Sequence, residues 1–216
     1  MKFTVMLSQL SSGMLRSMGI FALTLIFSLP LGLLISFGRM SKNRLLRTIT
    51  KIYISVMRGT PLMLQLLVVY FGPYYLFGMK IGGGYRFTAI IIGFSLNYAA
   101  YFAEIYRAGI ESMPVGQYEA AQVLGYGKIP CFFRIIFPQV VKRILPSVTN
   151  EVITLVKDTS LSFSLAYAEM FTIAKQIAAS QTTFMPFVVA AIFYYVFNLV
   201  VAVVMEQIEK RLNYYQ

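Results

Sequence analysis

The residues most able to do chemistry in this sequence are charged and amide side chains embedded in apolar segments. Glu151 follows Asn150 about midway along an apolar run, and Thr154 lies one helical turn further on. A carboxylate in an apolar environment is costly, so it requires a partner, a proton or water. Glu151 is therefore a candidate binding residue, with a structural ion pair to Lys142 or Arg143 as the competing interpretation.

A second polar group follows at positions 157–160. Lys157 and Asp158 carry opposite charges, and Thr159 and Ser160 carry hydroxyl groups. Adjacent residues on a helix point about 100° apart, so the two charges cannot serve one partner as a regular helical pair. A break in the helix here would free backbone groups to coordinate a zwitterion, as unwound transporter segments do. We expect this break, with an ordinary hydrated loop as the alternative.

A third group lies earlier in the chain on one face of a predicted helix. Asn97, Tyr101 and Glu104 are spaced at i, i+4 and i+7. Asn97 and Tyr101 are candidate substrate contacts, and hydrogen bonding between helices is the alternative for both. Glu104 is three residues from Arg107, and we expect these two to pair with each other rather than with a ligand.

Several classes of enzyme site are excluded by composition. The chain has no histidine and a single cysteine, Cys131, so it can form neither an internal disulfide nor an imidazole or cysteine metal cluster. Gly127-Lys128 is followed by Ile129 and lacks the earlier glycine of a phosphate-binding loop. We therefore expect no catalytic site, no metal site and no cofactor in this chain.

The elements that must position these residues are helices in a membrane. Of 216 residues, 58% are hydrophobic and only 12% are charged, an excess of apolar residues that one soluble core does not absorb. Runs of about 20 apolar residues can cross a bilayer. Five such spans are predicted, at about 15–37, 56–77, 87–106, 135–156 and 184–205. The fourth contains Lys142, Arg143, Pro146 and Glu151, so it should lie inside a bundle or line a cavity.

The distribution of basic residues predicts the orientation. With five spans, 13 lysines and arginines fall on one side of the membrane and six, Lys2 among them, fall on the other. Basic loops stay in the cytoplasm, so the N-terminus is predicted outside and the C-terminus inside. The bases are distributed between apolar runs and form no basic face on a soluble module, so nucleic acid is not an expected partner.

The loop between the third and fourth spans has a helix of its own. Residues 117–124 are good helix formers, Gly125 suits a left-handed stop, and Gly127 and Pro130 turn the chain. A short exposed helix between two spans docks into a groove of a partner or lies on the membrane surface.

This loop resembles the EAA loop of permease subunits of bacterial ABC importers for polar amino acids. The family pattern is E-A-A, three residues, G, nine residues, then I-x-L-P, with Phe137 here in place of the leucine. The matching residues are Glu119, Ala120, Ala121, Gly125, Ile135 and Pro138. Further segments resemble the same permeases in the same order: Arg58–Leu62 with Gln65, Asn97–Tyr101, Glu104–Ile110 and Leu155–Leu161.

The resemblance implies a fold and a set of partners. The chain 1–216 would be a single all-α membrane domain of the type I, MetI-like importer fold in the bacterial cytoplasmic (inner) membrane. It would pair with a second permease copy or a paralogue, with two ATPase subunits that bind ATP and magnesium, and with an extracellular or periplasmic solute-binding protein. Its coupling loop, at about 112–138, would contact the ATPase through Gln117, Glu119, Ala120, Ala121, Leu124 and Gly125.

The resemblance also implies the transported substrate class, polar or charged L-amino acids. In these permeases, positions matching Asn97, Glu151, Lys157 and Asp158 border an amino acid pocket, and Glu151 would hold the substrate ammonium group. Tyr101, Thr159 and Ser160 complete the predicted site. The specific amino acid stays open. An ion-driven secondary transporter and a scaffold that transports nothing are the rival interpretations, and the charged residues of the fourth span argue against the scaffold.

Overall fold

The computed structural model describes residues 3–212, so Lys2 lies outside the described part of the chain. Every regular element within these residues is helical. There are nine α-helices: α1 Phe3–Arg39, α2 Arg44–Gly59, α3 Leu62–Phe77, α4 Tyr85–Glu111, α5 Val115–Val123, α6 Lys128–Cys131, α7 Phe137–Asp158, α8 Met170–Gln181 and α9 Met185–Leu212.

Three of these helices are long and apolar enough to cross a membrane. They are α1, α4 and α9. Helices α1 and α4 contain the predicted spans 15–37 and 87–106, and α9 covers all but the first residue of the predicted span 184–205. Helices α2 and α3 meet the same criterion only as a bent pair, which brings the count of candidates in residues 3–212 to four. Helix α7 contains most of the predicted span 135–156 but does not meet the criterion of length and hydropathy. The number of spans therefore stays a prediction.

The predicted span at 56–77 is not one continuous helix, because the chain turns by 113° between α2 and α3. The cause is Pro61, since the residue before a proline avoids the helical region. Thr60 is accordingly extended, with φ −121° and ψ 149°. Gln65 Nε2 donates to the carbonyl oxygens of Met57 (3.0 Å) and Thr60 (3.1 Å), which have lost their helical donors at the break. The bend is thus held by hydrogen bonds.

The central contact of the bundle is the packing of α1 against α4. The buried face of α1 carries small residues every fourth position: Thr24, Ser28, Gly32 and Ser36. Small residues let two helix backbones approach closely. A Cβ atom added at Gly32 would lie 2.8 Å from Phe102 Cβ and 3.1 Å from the Ala99 carbonyl oxygen.

The two ends of the bundle are defined by contacts between distant segments. At one end, Arg39 Nε lies 3.7 Å from a Glu104 carboxylate oxygen, and the rings of Phe37 and Phe132 are 5.3 Å apart. The C-terminal part of α9 reaches the same end. At the opposite end, Arg16 donates to the Ala168 carbonyl at 2.8 Å. The basic segments predicted to share one side of the membrane thus lie at the first end, which we call the basic end.

The chain from Lys128 to Leu165 is helical throughout but changes its helix type three times. A π-helical turn at Phe132–Ile136 precedes α7, and a 3₁₀ helix at Thr159–Leu165 follows it. Pro138 has no N–H for the carbonyl four residues earlier, and its ring crowds that carbonyl, so a widened turn relieves the strain.

Candidate functional site

Two of the predicted substrate residues, Tyr101 and Glu151, line a common cavity of about 510 Å³. The cavity lies between the last turn of α2, the second half of α4 and the middle of α7. Its charged residues have both signs: Arg58, Arg107, Arg143, Glu104 and Glu151. A larger cavity of about 940 Å³ between α7 and the end of α9 contains none of the predicted substrate residues.

Glu151 is half-buried at this cavity with its carboxylate uncommitted. It takes part in no hydrogen bond and no ion pair within residues 3–212. Of the two competing ion pairs, with Lys142 or with Arg143, the one with Arg143 is not formed. Arg143 Nη1 instead donates to the backbone oxygen of Ser112 at 2.5 Å and to its hydroxyl at 2.9 Å. Arg58 is the cation that acts electrostatically on Glu151. The carboxylate is therefore open to a cationic ligand group.

Arg58 is a charged residue of this cavity that was not among the predicted substrate residues. Its guanidinium carbon lies 5.2 Å from the centre of the Tyr101 ring, within the range of a cation–π contact. The sequence did contain a signal, because Arg58 is a cation in an apolar segment two residues before the Thr60-Pro61 break. The break ends α2 at the cavity, whose lining Arg58 shares with Glu151.

Glu104 also borders the cavity, but its carboxylate is already neutralised. Arg107 donates to it from Nη2 at 2.6 Å and from Nε at 3.1 Å. Arg107 also contacts Glu111 at 2.6 Å. The prediction that Glu104 pairs with Arg107 is confirmed, and Glu104 offers little to a ligand.

Asn97 does not line the cavity, although it shares a helical face with Tyr101. Its side chain is 4% exposed, and its amide nitrogen donates to the Met57 carbonyl oxygen at 3.0 Å and to Gln65 Oε1 at 2.9 Å. These bonds fasten α4 to the bend between α2 and α3. The contacts correspond to the alternative left open for Asn97, hydrogen bonding between helices.

The predicted break at positions 157–160 is wrong, because α7 continues directly into a 3₁₀ helix. The hydroxyls are used locally: Thr159 donates to the Val156 carbonyl and Ser160 to the Lys157 carbonyl, each at 2.8 Å. Hydroxyl groups that bond back to the preceding turn compete for its carbonyls and favour such a tightened segment. No unwound backbone is therefore offered to a ligand here.

The two charges of this segment point in different directions, as the helical spacing predicts. Lys157 is exposed, whereas Asp158 is half-buried and accepts a hydrogen bond from the Tyr98 hydroxyl at 2.7 Å. Tyr98 is itself buried in α4. Neither Lys157 nor Asp158, and neither hydroxyl residue after them, lines the cavity that holds Tyr101 and Glu151.

The predicted coupling segment forms α5 and ends in a left-handed turn. Gly125 has φ +79°, its N–H donates to the Gln122 carbonyl at 2.9 Å, and the Tyr126 N–H donates to the Ala121 carbonyl at 2.9 Å. This pair of bonds is a Schellman stop, which favours glycine at the left-handed position. The short helix and its glycine stop therefore form as the sequence predicts.

Helix α5 presents nearly all of its predicted coupling residues outward. The exposed members are Gln117, Glu119, Ala120, Leu124 and Gly125, whereas Ala121 is 2% exposed and packs into the bundle. Apolar side chains around them are also exposed, with Val123 at 87% and Leu124 at 74%. Gln139 Nε2 lies 3.4 Å from Gln117 Oε1 and ties α5 to the start of α7. The result is a small, partly apolar surface at the basic end.

Known proteins resemble this chain over nearly its whole length. Residues 28–214 match the family model of binding-protein-dependent transport system inner membrane components. A putative glutamine transport system permease protein of Rickettsia bellii is 37% identical over 213 residues, covering 98% of this chain and 96% of its own length. An L-cystine transport system permease protein of Bacillus subtilis is 36% identical and covers 95% and 87%.

Solved structures share the fold. An amino acid ABC transporter crystallised with histidines matches with a TM-score of 0.84 and 32% identity, over 98% of this chain and 99% of the other. The inward-facing MetNI methionine ABC transporter matches with a TM-score of 0.79 over 99% and 100%, and its 17% identity bears on the fold alone. The predicted helical fold of type I, MetI-like importer permeases is confirmed. This chain belongs to the family of binding-protein-dependent transport system inner membrane components and is a multi-pass permease of the inner membrane.

Proposed function

We propose that the chain is the permease half of an ATP-driven importer that moves polar or charged L-amino acids into the cytoplasm. The observation that carries the proposal is the cavity between α2, α4 and α7 that is lined by both Glu151 and Arg58, with Arg58 in contact with Tyr101. A zwitterion needs one anionic and one cationic contact, and a site that lacks either leaves a charge unpaired in an apolar bundle.

The polarity of the cavity suggests how the substrate is held. Glu151 binds the α-ammonium group, and Arg58 binds the α-carboxylate with its planar, bidentate donors. Tyr101 supports Arg58 through its ring face. Residues 157–160 and the buried Asn97 act through packing and hydrogen bonding around the cavity rather than by direct contact.

Transport is driven from the basic end, which faces the cytoplasm in this proposal, with the N-terminus outside. Two ATPase subunits bind ATP and magnesium and dock on α5 of two permease chains, through Glu119, Leu124 and Gly125. A second copy or a paralogue supplies the other half, and an external solute-binding protein delivers the amino acid. ATP binding moves α5 and alternates access to the cavity, and the two states bind substrate with different affinity.

Uptake by proteoliposomes tests the transport reaction. The permease is reconstituted with its ATPase and binding protein, and uptake of labelled glutamine, cystine and arginine is measured with and without ATP. We expect ATP-dependent accumulation of at least one of them. Undiminished uptake without ATP or without the ATPase would reject the mechanism and favour an ion-driven carrier.

The cavity is tested with Glu151→Gln in the same assay. Loss of one charge-assisted contact weakens substrate binding by about 1.5–3 kcal/mol, which corresponds to roughly 10- to 150-fold in KM. The matched control is Thr154→Val, one turn along the same helix, because Thr154 is exposed and its hydroxyl donates only to the Asn150 carbonyl. Equal KM values for the two variants would show that Glu151 does not bind the substrate.

A further inference from the structure

Helix α2 has a charged surface that the proposed transport cycle does not use. Arg44, Arg47 and Lys51 are spaced at i, i+3 and i+7 and are exposed on one side of the helix. With Lys42 just before the helix, they form a cluster of four bases at the basic end. None of the four has an ion pair within residues 3–212.

The sequence offers this cluster no nearby acidic partner. The first acidic residue of the chain is Glu104, and Arg39 and Arg107 already contact it. Four neighbouring cations without a counter-charge repel one another, so a bound anion would stabilise them. Residues 3–212 supply no such anion in an ion pair, so a partner outside them would provide it.

The same helix has a second exposed face, and that face is apolar. Leu45, Ile49, Ile52 and Val56, at i, i+4, i+7 and i+11, are between 50% and 69% exposed. A third face, which includes the buried Ile54, packs against α4, where the Tyr53 hydroxyl donates to the Leu96 carbonyl at 2.5 Å. Helix α2 thus has one face anchored to the bundle, one exposed basic face and one exposed apolar face.

We propose that the first three turns of α2 bind anionic phospholipid at the membrane surface. The bases hold the phosphate headgroups, and the apolar face enters the neighbouring acyl region, as in other amphipathic helices that lie in a membrane interface. A soluble acidic partner would fit the charges but would leave the adjacent Leu45, Ile49 and Ile52 in water. Lipid satisfies both faces at once.

The absence of tryptophan from the chain allows a direct test, because Ile52→Trp then carries the only indole of the permease. The full-length variant is placed in equimolar phosphatidylcholine and phosphatidylglycerol vesicles in which one lipid or the other carries bromine on its tails. We expect stronger quenching of the indole by brominated phosphatidylglycerol. Ile26→Trp, 60% exposed on α1 and distant in sequence from any base, is the control and should show no preference.

Charge variants in the Ile52→Trp background identify the source of the preference. Arg47→Gln with Lys51→Gln should lower it by up to about 25-fold, because each cation near a membrane surface contributes roughly a fivefold preference. Arg47→Lys with Lys51→Arg keeps the charge and should keep the preference. High salt should also reduce it.

Three results would overturn the proposal. Equal quenching by the two lipids would mean that the face is merely apolar. No quenching by either would mean that a second copy of the chain or another protein covers α2. A preference that survives the neutralising substitutions would place the anion site elsewhere. None of these outcomes bears on transport through the cavity, so this inference and the proposed function fail separately.

Discussion

The glycine that ends α5 gives a sharp test of the coupling surface. Gly125 has φ +79°, and an L-residue in the left-handed region costs roughly 1–2 kcal/mol. In Gly125→Ala the free loop relieves this strain by fraying, which releases the hydrogen bonds to Gln122 and Ala121. Docking must then re-form the helix end, so affinity for the ATPase falls by about 5- to 30-fold.

The matched control lies on the same helix. Gly116 has open space where a Cβ atom would lie and no positive φ, so Gly116→Ala removes a glycine without strain and should leave binding equal or slightly tighter. Gly125→Asn should be intermediate, because asparagine tolerates the left-handed region better than other side chains. Dissociation constants are measured with purified ATPase and permease in nanodiscs. If both alanine variants bind with the wild-type constant, the order of α5 does not govern docking.

Two further predictions concern the fold. Gly32→Ala should lower the stability of the purified permease by about 1–3 kcal/mol, because the added methyl group overpacks against Phe102. Gly19→Ala on the same helix is the control and should not lower it, since no atom lies within 4 Å of the added group. Equal melting temperatures for the two variants would refute the close α1–α4 contact. Gln65→Leu removes the side-chain donor to the Thr60 carbonyl and one of the two donors to the Met57 carbonyl, which keeps Asn97, and should cost about 1–3 kcal/mol. Wild-type stability would show that the bend needs no such support.

The long apolar helices were predictable because hydropathy reports what a bilayer requires. Helices α1 and α4 contain the spans predicted there and α9 covers all but the first residue of its span, since the helical backbone continues without a break through those runs. Helices α2 and α3 together are also apolar enough to qualify, yet hydropathy averages across Thr60 and Pro61 and so misses the turn of 113°. The restriction that proline imposes on the preceding residue was present in the sequence, and it outweighed the apolar average.

The site residues were harder to predict because burial depends on what the neighbouring helix offers. Asn97 and Tyr101 share one face of α4, but Asn97 bonds to Gln65 and to the Met57 carbonyl at the bend, whereas Tyr101 contacts Arg58 and lines an open cavity. Helical periodicity assigns both the same direction and cannot separate them. Arg58 lines the cavity from the last turn of α2, just before the bend, so its charge in an apolar segment was a signal but its place at the site depended on where α2 ends.

The cavity and α5 are attached to the same two helices. Helix α4 carries Tyr101 and ends at Glu111, three residues before Pro114 leads into α5, and α7 carries Glu151. Arg143 of α7 donates to both oxygens of Ser112, so the connection into α5 is bonded to the opposite wall of the cavity. A force applied to α5 therefore acts on both walls together. This arrangement gives the proposed docking a direct mechanical route to the residues that would hold the substrate.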